Sequence, residues 1–542
     1  MLKIKRGFRG ITFVLLAALL MSLVIGCSQA SPAPKPNQPQ SEAKPKTGGT
    51  ITMAFPMEPD TLDAHTSTGA DTIATLPMGG SLLTKDPATH EYKPNLAEEY
   101  KVSEDGKTLT FKIRSGVTMH DGTPVTAKTF KETFDRILDP KTAAKTSRIF
   151  LAAVKSVKAP DDQTLILELE RPVAPLLGNI STTVLQPLSM KAIEKYGEQY
   201  GRNPVGMGPW KFESWQAGQS ITLVPNKDYK GHDQRFEYQG PPRPDKLVIK
   251  FIQDPQTMLS ALNSGTIDVA WNVPAKDIKK YRNNEKYEVL DVLRTGLGLM
   301  VGMNLKNDLF QDIQVRKAIN MLVNKEAIVQ SVLLGEGVIA NGPLSPYMLG
   351  YDKGVEEYGY KYNLDEAKKL LDAAGWKING EGVREKNGNT ISLNLLSTVQ
   401  YNKDAQLIQS MLGEAGIKVS IQNLEPVAQM EAALKGNFDL VMTSYVYTDP
   451  DILSGFFHSS LGGYNFAGIN DPKLDDLIIK GQSTYDTEAR KQIYAEAQKY
   501  MVEQAYIVPV YVAKQFTVVN KRVKGVKLVE ETPMFNDAWV DQ

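Results

Sequence analysis

The stretch that most constrains this chain runs from 391 to 443, where strand-length and helix-length segments alternate without interruption. Residues 391–396, 417–422 and 439–443 are short and apolar-rich, while 405–415 and 427–434 carry apolar residues at helical spacing. Parallel strands need a crossover long enough to hold a helix, and such crossovers are right-handed. The spacing therefore predicts a parallel sheet here, within an α/β lobe covering about 300 to 510.

The rest of the chain also alternates and points to an α/β fold class. TITMAF (50–55) reads as a strand stopped by Pro56, and TLTFKIR (108–114) alternates with period two after the turn residues Ser103 to Gly106. Residues 126–138 form an amphipathic helix with Thr126 as N-cap, and 164–169 and 220–224 are further strands. A helix over 255–264, closed by Gly265, leads into a strand at 267–271. Val315, Ala318, Ile319, Leu322, Val323, Ile328 and Val332 share one side of a segment expected to be one long core helix over 312–334.

At the amino terminus Lys3, Lys5, Arg6 and Arg9 precede an uncharged apolar run of 16 residues, 11–26. That is short of the ~20 a spanning helix needs, so 1–26 reads as an export signal. The run ends in Val24-Ile25-Gly26-Cys27, which resembles a bacterial lipobox, and Cys27 is the only cysteine. We expect cleavage before Cys27 and diacylation of its sulfur, two chains being what stable anchoring takes. Residues 28–46 contain five prolines, three serines and no aromatic or β-branched residue. Such a tether reaches between ~25 Å as a coil and ~60 Å as polyproline. The expected location is extracytoplasmic, at the outer face of the cell membrane or the periplasmic side.

The composition excludes several classes. Lys plus Arg and Asp plus Glu are both 62, with no basic stripe interleaved with aromatics, so no nucleic-acid partner is expected. His65, His90, His120, His232 and His458 never fall at ligand spacing, and there is no H-E-x-x-H or C-x-x-C, so neither metal nor cofactor is expected. No G-x-S-x-G or phosphate loop occurs. Gly296, Gly298 and Gly302 have the wrong spacing for a dinucleotide site and read as a strand that packs closely. The chain is expected not to be an enzyme.

Loops at strand ends collect binding residues in α/β proteins. On that ground Tyr445, Tyr447 and Asp449, in SYVYTDPD after the strand 439–443, and Trp271, ending the strand 267–271, are candidate ligand-binding residues. For the aromatics the competing reading is ordinary core, and for Asp449-Pro450-Asp451 a turn and helix cap.

Taken together, six motifs in order resemble the family 5 extracellular solute-binding proteins, the oligopeptide, dipeptide and nickel receptors of ABC importers. They are PDTLDAH (59–65), PNLAE (94–98) with SEDGKTLTFKIRSGVTMHDGTPVTAK (103–128), NPVGMGPW (203–210), DIQVRKA (312–318), AKKLLDAAGW (367–376) and NDPKLD (470–475). The resemblance implies a periplasmic-binding-protein-like fold of type II, with two lobes and a subdomain inserted in the first. Lobe I would comprise 48–92, 203–296 and 509–542, the inserted subdomain 93–202 and lobe II 297–508, with 27–47 as tether and the family domain at about 93–460. It implies a monomeric receptor that encloses a peptide or similarly sized solute by hinge closure and presents it to permease and ATPase subunits. Ala70 is a further candidate ligand-binding residue.

The family pattern is broken at two positions. The aspartate that clamps a peptide amine in similar receptors is replaced by Val446, and an arginine on the preceding strand by Met442. Asp449 is the candidate replacement for the amine clamp. A nickel chelate, oligosaccharide or opine is the rival ligand, and a secreted hydrolase, surface sensor or surface chaperone the rival class.

Overall fold

The computed structural model describes residues 44–67, 69 and 72–541. Cys27, the export signal and Ala70 lie outside the described residues. The body, from Pro45 onward, is a mixed α/β structure organised by one twelve-stranded sheet.

The sheet has two halves that share the long strand Ile507–Asn520. The beginning of that strand pairs antiparallel with Leu297–Met303, Tyr511 opposite Leu299 and Ile507 opposite Gly302. Its end pairs with Val269–Trp271 and Tyr287–Leu293, Val519 facing both Val269 and Glu288. The chain therefore passes between the halves twice, once near Val512 and once in the short link from Arg294 to Gly296.

In one half Ser392–Thr398 lies between Lys418–Leu424 and Leu440–Tyr445, parallel to both. The helices Asn402–Gly413 and Pro426–Leu434 form the crossovers, as the alternation from 391 onward predicts. Leu393, Leu395, Ile408, Leu412 and Leu440 are buried together there. In the other half Thr50–Phe55 pairs in parallel with Lys246–Phe251, followed by Ser220–Pro225 and Trp210–Gln216.

A separate antiparallel sheet in the order Ala97–Val102, Thr108–Ile113, Thr164–Leu169, Val154–Lys158 packs against the helix Ala127–Leu138. That helix starts as the sequence requires. Thr126 accepts from the N–H of Thr129, whose hydroxyl accepts from the N–H of Thr126, satisfying two donors that a helix start leaves unpaired. Phe130, Phe134 and Ile137 fall on its buried face, each contributing about 1.5–3 kcal/mol by leaving water.

The segment 312–334 departs from expectation. It forms two helices, Ile313–Leu322 and Lys325–Val332. Val323 is extended, and the Asn324 side chain accepts from the N–H of Ala327, restarting the helix with a fresh cap. The apolar spacing continues through the break because Val323 and Ile328 both reach the same core as Val315 and Ile319. Periodicity registers the face and is blind to the cap.

The PDTLDAH motif is a structural clasp. Arg136, from the helix of the four-stranded sheet, donates Nη2 to Asp63 Oδ2 at 2.6 Å and Nη1 to His65 Nδ1 at 2.8 Å. His65 passes the chain of bonds on, donating Nε2–H to Gln186 O at 3.0 Å. Burial holds His65 neutral, its pKa lowered to about 4 despite the opposing charge of Asp63. Gly296 and Gly298 meet the need read from their spacing. A Cβ on Gly296 would stand 2.2 Å from Tyr445 O, and one on Gly298 2.4 Å from Tyr511 O.

Candidate ligand site

A cavity of about 1100 Å³ lies where four parts of the body converge. Lys85 and His90 come from the stretch after the first strand, and Phe150 and Asn179 from around the four-stranded sheet. Val289 to Asp291 and the hairpin Lys527–Val529 with Thr532–Met534 come from the half of the sheet that holds the first strand, and Val446 to Asp449 from the other. The volume is slightly above the ~300–1000 Å³ usual for small-molecule pockets, and suits a ligand of several residues.

Contacts span the gap on the way into this space. Lys85 Nζ donates to Thr448 O at 2.6 Å, and Tyr447 donates its hydroxyl to Asn179 Oδ1 at 3.0 Å. Further out, Arg171 Nη1 donates to Gln482 Oε1 at 2.6 Å, and the Ala174 N–H to Gln482 O at 2.7 Å. Tyr485 donates its hydroxyl to Gly106 O at 3.1 Å.

The structure distributes the sequence candidates unevenly. Tyr447 and Asp449 line the cavity, as does Val446. Tyr445 does not. It is 42% exposed, within an aromatic group with Phe456 and Tyr464 at 5.2 and 6.3 Å between ring centres. Trp271 is not in the lining either. It stacks on Phe55 at 5.3 Å and donates its indole N–H to Glu531 O at 2.8 Å, holding the hairpin rather than facing the cavity.

Asp449 is occupied. Both its oxygens accept from Arg490, and one also receives the N–H of Asp451. Burial pushes its pKa up, but the charge and hydrogen bonds of Arg490, with Lys85 beyond, prevail and hold it below the ordinary carboxylate range. Two residues on, burial and the charge of Asp449 push Asp451 up to about 7.

The sequence reading missed Lys85, His90, Asn179 and Glu530, none of which sits in a distinctive local pattern. His90 has a left-handed backbone, φ 61°, and its Nδ1 has no hydrogen-bond partner among the described residues. Burial, followed by the charge of Lys85, lowers its pKa to about 4, so it faces the cavity as a neutral imidazole. Burial also lowers Lys85, against the pull of Asp449 and Glu530.

Among the described residues, no three His, Cys, Asp or Glu side chains cluster closely enough to hold a metal, and no helix is long and apolar enough to cross a membrane. The arrangement is built for enclosing a ligand of mixed polarity. The profile of bacterial extracellular solute-binding proteins, family 5 Middle, matches residues 91–468. The oligopeptide-binding protein AppA of Bacillus subtilis is 29% identical over 551 aligned positions, covering 97% of this chain and 98% of AppA. The structure of AppA in complex with a nonapeptide superposes with TM-score 0.73 at 26% identity, covering 92% of this chain and all of that one. AgaA from A. tumefaciens R10, in complex with agropinic acid, gives 0.70 at 27%, covering 91% and 99%.

Proposed function

Because the chain belongs to the family 5 extracellular solute-binding proteins, which are receptors and not enzymes, we propose that this solute-binding protein of an ABC importer takes a peptide as its cargo. It works outside the cytoplasm. The observation that carries the peptide reading is the roomy cavity bridged by Lys85–Thr448 and Tyr447–Asn179. Ligand touching both walls stabilises the closed arrangement over an open one, and closure is what a permease would sense. The similarity to AppA, extending over nearly the whole chain, supports a peptide.

In this reading lobe I comprises 48–92, 203–296 and 509–542, with 93–202 inserted in it, and lobe II 297–508. The passage of the strand Ile507–Asn520 between sheet halves supports a hinge near Val512 and the 294–296 link. Diacylation at Cys27 tethers the body beside its permease and raises the local concentration without further contacts. A second reading, an opine, is supported by the likeness to AgaA and by the ammonium of Lys85 in the cavity wall, which has no carboxylate within ion-pair distance among the described residues.

Native mass spectrometry of the purified protein, followed by thermal-shift titration with a peptide digest and with agropinic acid, tests these readings. The peptide reading expects retained or added masses of peptides and stabilisation growing as RT ln(1 + [L]/Kd). Stabilisation by agropinic acid with no response to peptides would replace it with the second.

A further inference from the structure

Among the described residues four acidic side chains line the cavity, and three are spoken for. Asp86 accepts from Lys93 at 2.5 Å, Asp291 from Lys514 at 2.9 Å, and Asp449 from Arg490 at 2.7 Å. The fourth, Glu530, makes no hydrogen bond or ion pair with any described residue and faces the cavity. Asp449 already accepts from Arg490 at both of its oxygens, so its charge is committed. An ammonium entering this space therefore finds one acid without a partner.

The mounting of Glu530 supports a purpose beyond charge balance. With Glu531 it makes the two-residue turn between Val529 and Thr532, a place where Gly, Asn or Asp is usual because the turn needs left-handed backbone. Glu530 takes that conformation, φ 54°, with a long side chain. Strain of this kind persists where the surroundings hold it, and it gathers at ligand sites. The surroundings do hold it: Glu531 Oε1 accepts from the N–H of Thr295 at 3.0 Å, and Glu531 O accepts from Trp271 and Gln515 at 2.8 and 2.9 Å. The neighbouring carboxylate thus bolts the turn to the link between the sheet halves while that of Glu530 is left for the cavity.

We propose that Glu530 receives the cationic group of the ligand, the free α-amine of a peptide, from the hairpin that lines the cavity. This rests on the peptide reading above. Burial raises the pKa of Glu530 against the charges of Lys85 and Arg235, and the charge of an incoming ammonium would further offset that penalty. Arg235 is held by Asp233 and Lys85 by Thr448 O, so neither closes on the carboxylate.

The test presents purified protein with an equimolar mixture of a peptic peptide digest and the same digest N-acetylated, and weighs the captured peptides by mass spectrometry. Wild type should enrich free-amine peptides at least tenfold, and Glu530→Gln should bring the ratio near one without reducing capture of the acetylated forms. Glu530→Asp, which keeps the charge, should restore part of the preference, and melting curves of both variants report folding. Equal preference in wild type and Glu530→Gln would overturn the role of Glu530 and leave the peptide reading standing. Capture of neither digest by wild type would overturn the peptide reading, and this inference with it.

Discussion

Asp449 and Arg490 form a two-point ion pair out of contact with solvent, Nη1 to Oδ2 at 2.8 Å and Nη2 to Oδ1 at 2.7 Å. Arg490 also donates Nε to Gly481 O at 2.9 Å. One wall of the cavity is thereby tied to the long helix Thr487–Glu503 behind it. The pair positions the Tyr447–Thr448 backbone, and its charges are spent on each other.

Removing one partner of such a pair leaves an uncompensated charge in the interior. Arg490→Met should cost about 3–5 kcal/mol of stability, read as a lowered denaturant midpoint. Arg490→Met paired with Asp449→Leu should recover much of the loss. A double variant no more stable than the single one would refute this account.

Tyr447→Phe removes only the hydroxyl that reaches Asn179 across the cleft. A hydrogen bond contributes a net ~0.5–1.5 kcal/mol. Affinity for peptide, measured by calorimetry, should therefore fall between twofold and about tenfold, with little change in melting temperature. Unchanged affinity would remove the bridge from the closed state.

Gly296 has φ +85° and no room for a methyl group, since Tyr445 O and Tyr447 N would lie 2.2 and 2.6 Å from it. Gly296→Ala should destabilise by at least ~1–3 kcal/mol and displace the Val446–Thr448 edge, weakening ligand capture. Gly380→Ala, with nothing within 4 Å, serves as the control.

His232 donates Nδ1–H to Asn95 Oδ1 at 2.7 Å, while its buried Nε2 has no partner among the described residues. Burial lowers its pKa to about 4, against the pull of Asp233. A depressed pKa means the unfolded chain takes the proton first as pH falls. The contribution is whole above ~6.5 and lost as pH drops through 4, at most roughly 3 kcal/mol. His65 and His120, each lowered to about 4 by burial, act in the same direction. Asp451, raised to about 7, acts oppositely: its contribution is whole below ~3.9 and lost as pH rises through 7. Urea denaturation at pH 7 and pH 4.5 should show a smaller loss for His232→Gln than for wild type, and equal losses would refute the assignment.

Cys27→Ala should move the protein from the detergent phase to the aqueous phase after phase partitioning of cell extracts, with peptide binding intact. Retention in the detergent phase would refute the lipid anchor.

Much of the fold was open to reading from local pattern. The alternation from 391 to 443 announced its parallel sheet, Thr126 its helix start, and Gly296 and Gly298 their close approach. The break at Asn324 escaped because an unbroken apolar face outweighed a single capping residue. At the site, Tyr447 and Asp449 were reached from their place after a strand, whereas Trp271 and Tyr445 share that feature without lining the cavity.

The sequence by itself determined the order of strands and helices, the lack of catalytic or metal motifs and the family to which the chain belongs, because periodicity, caps and motifs are written within a few consecutive residues. Only the tertiary structure decided which charges are free. Asp449 and Glu530 are alike as carboxylates in the sequence. One meets Arg490, 41 positions away, while the other is carried on a C-terminal hairpin to the wall of the cavity with no hydrogen-bond or ion-pair partner among the described residues. Pairing at such separations is set by how the sheet halves and the hairpin come together, which no local pattern encodes.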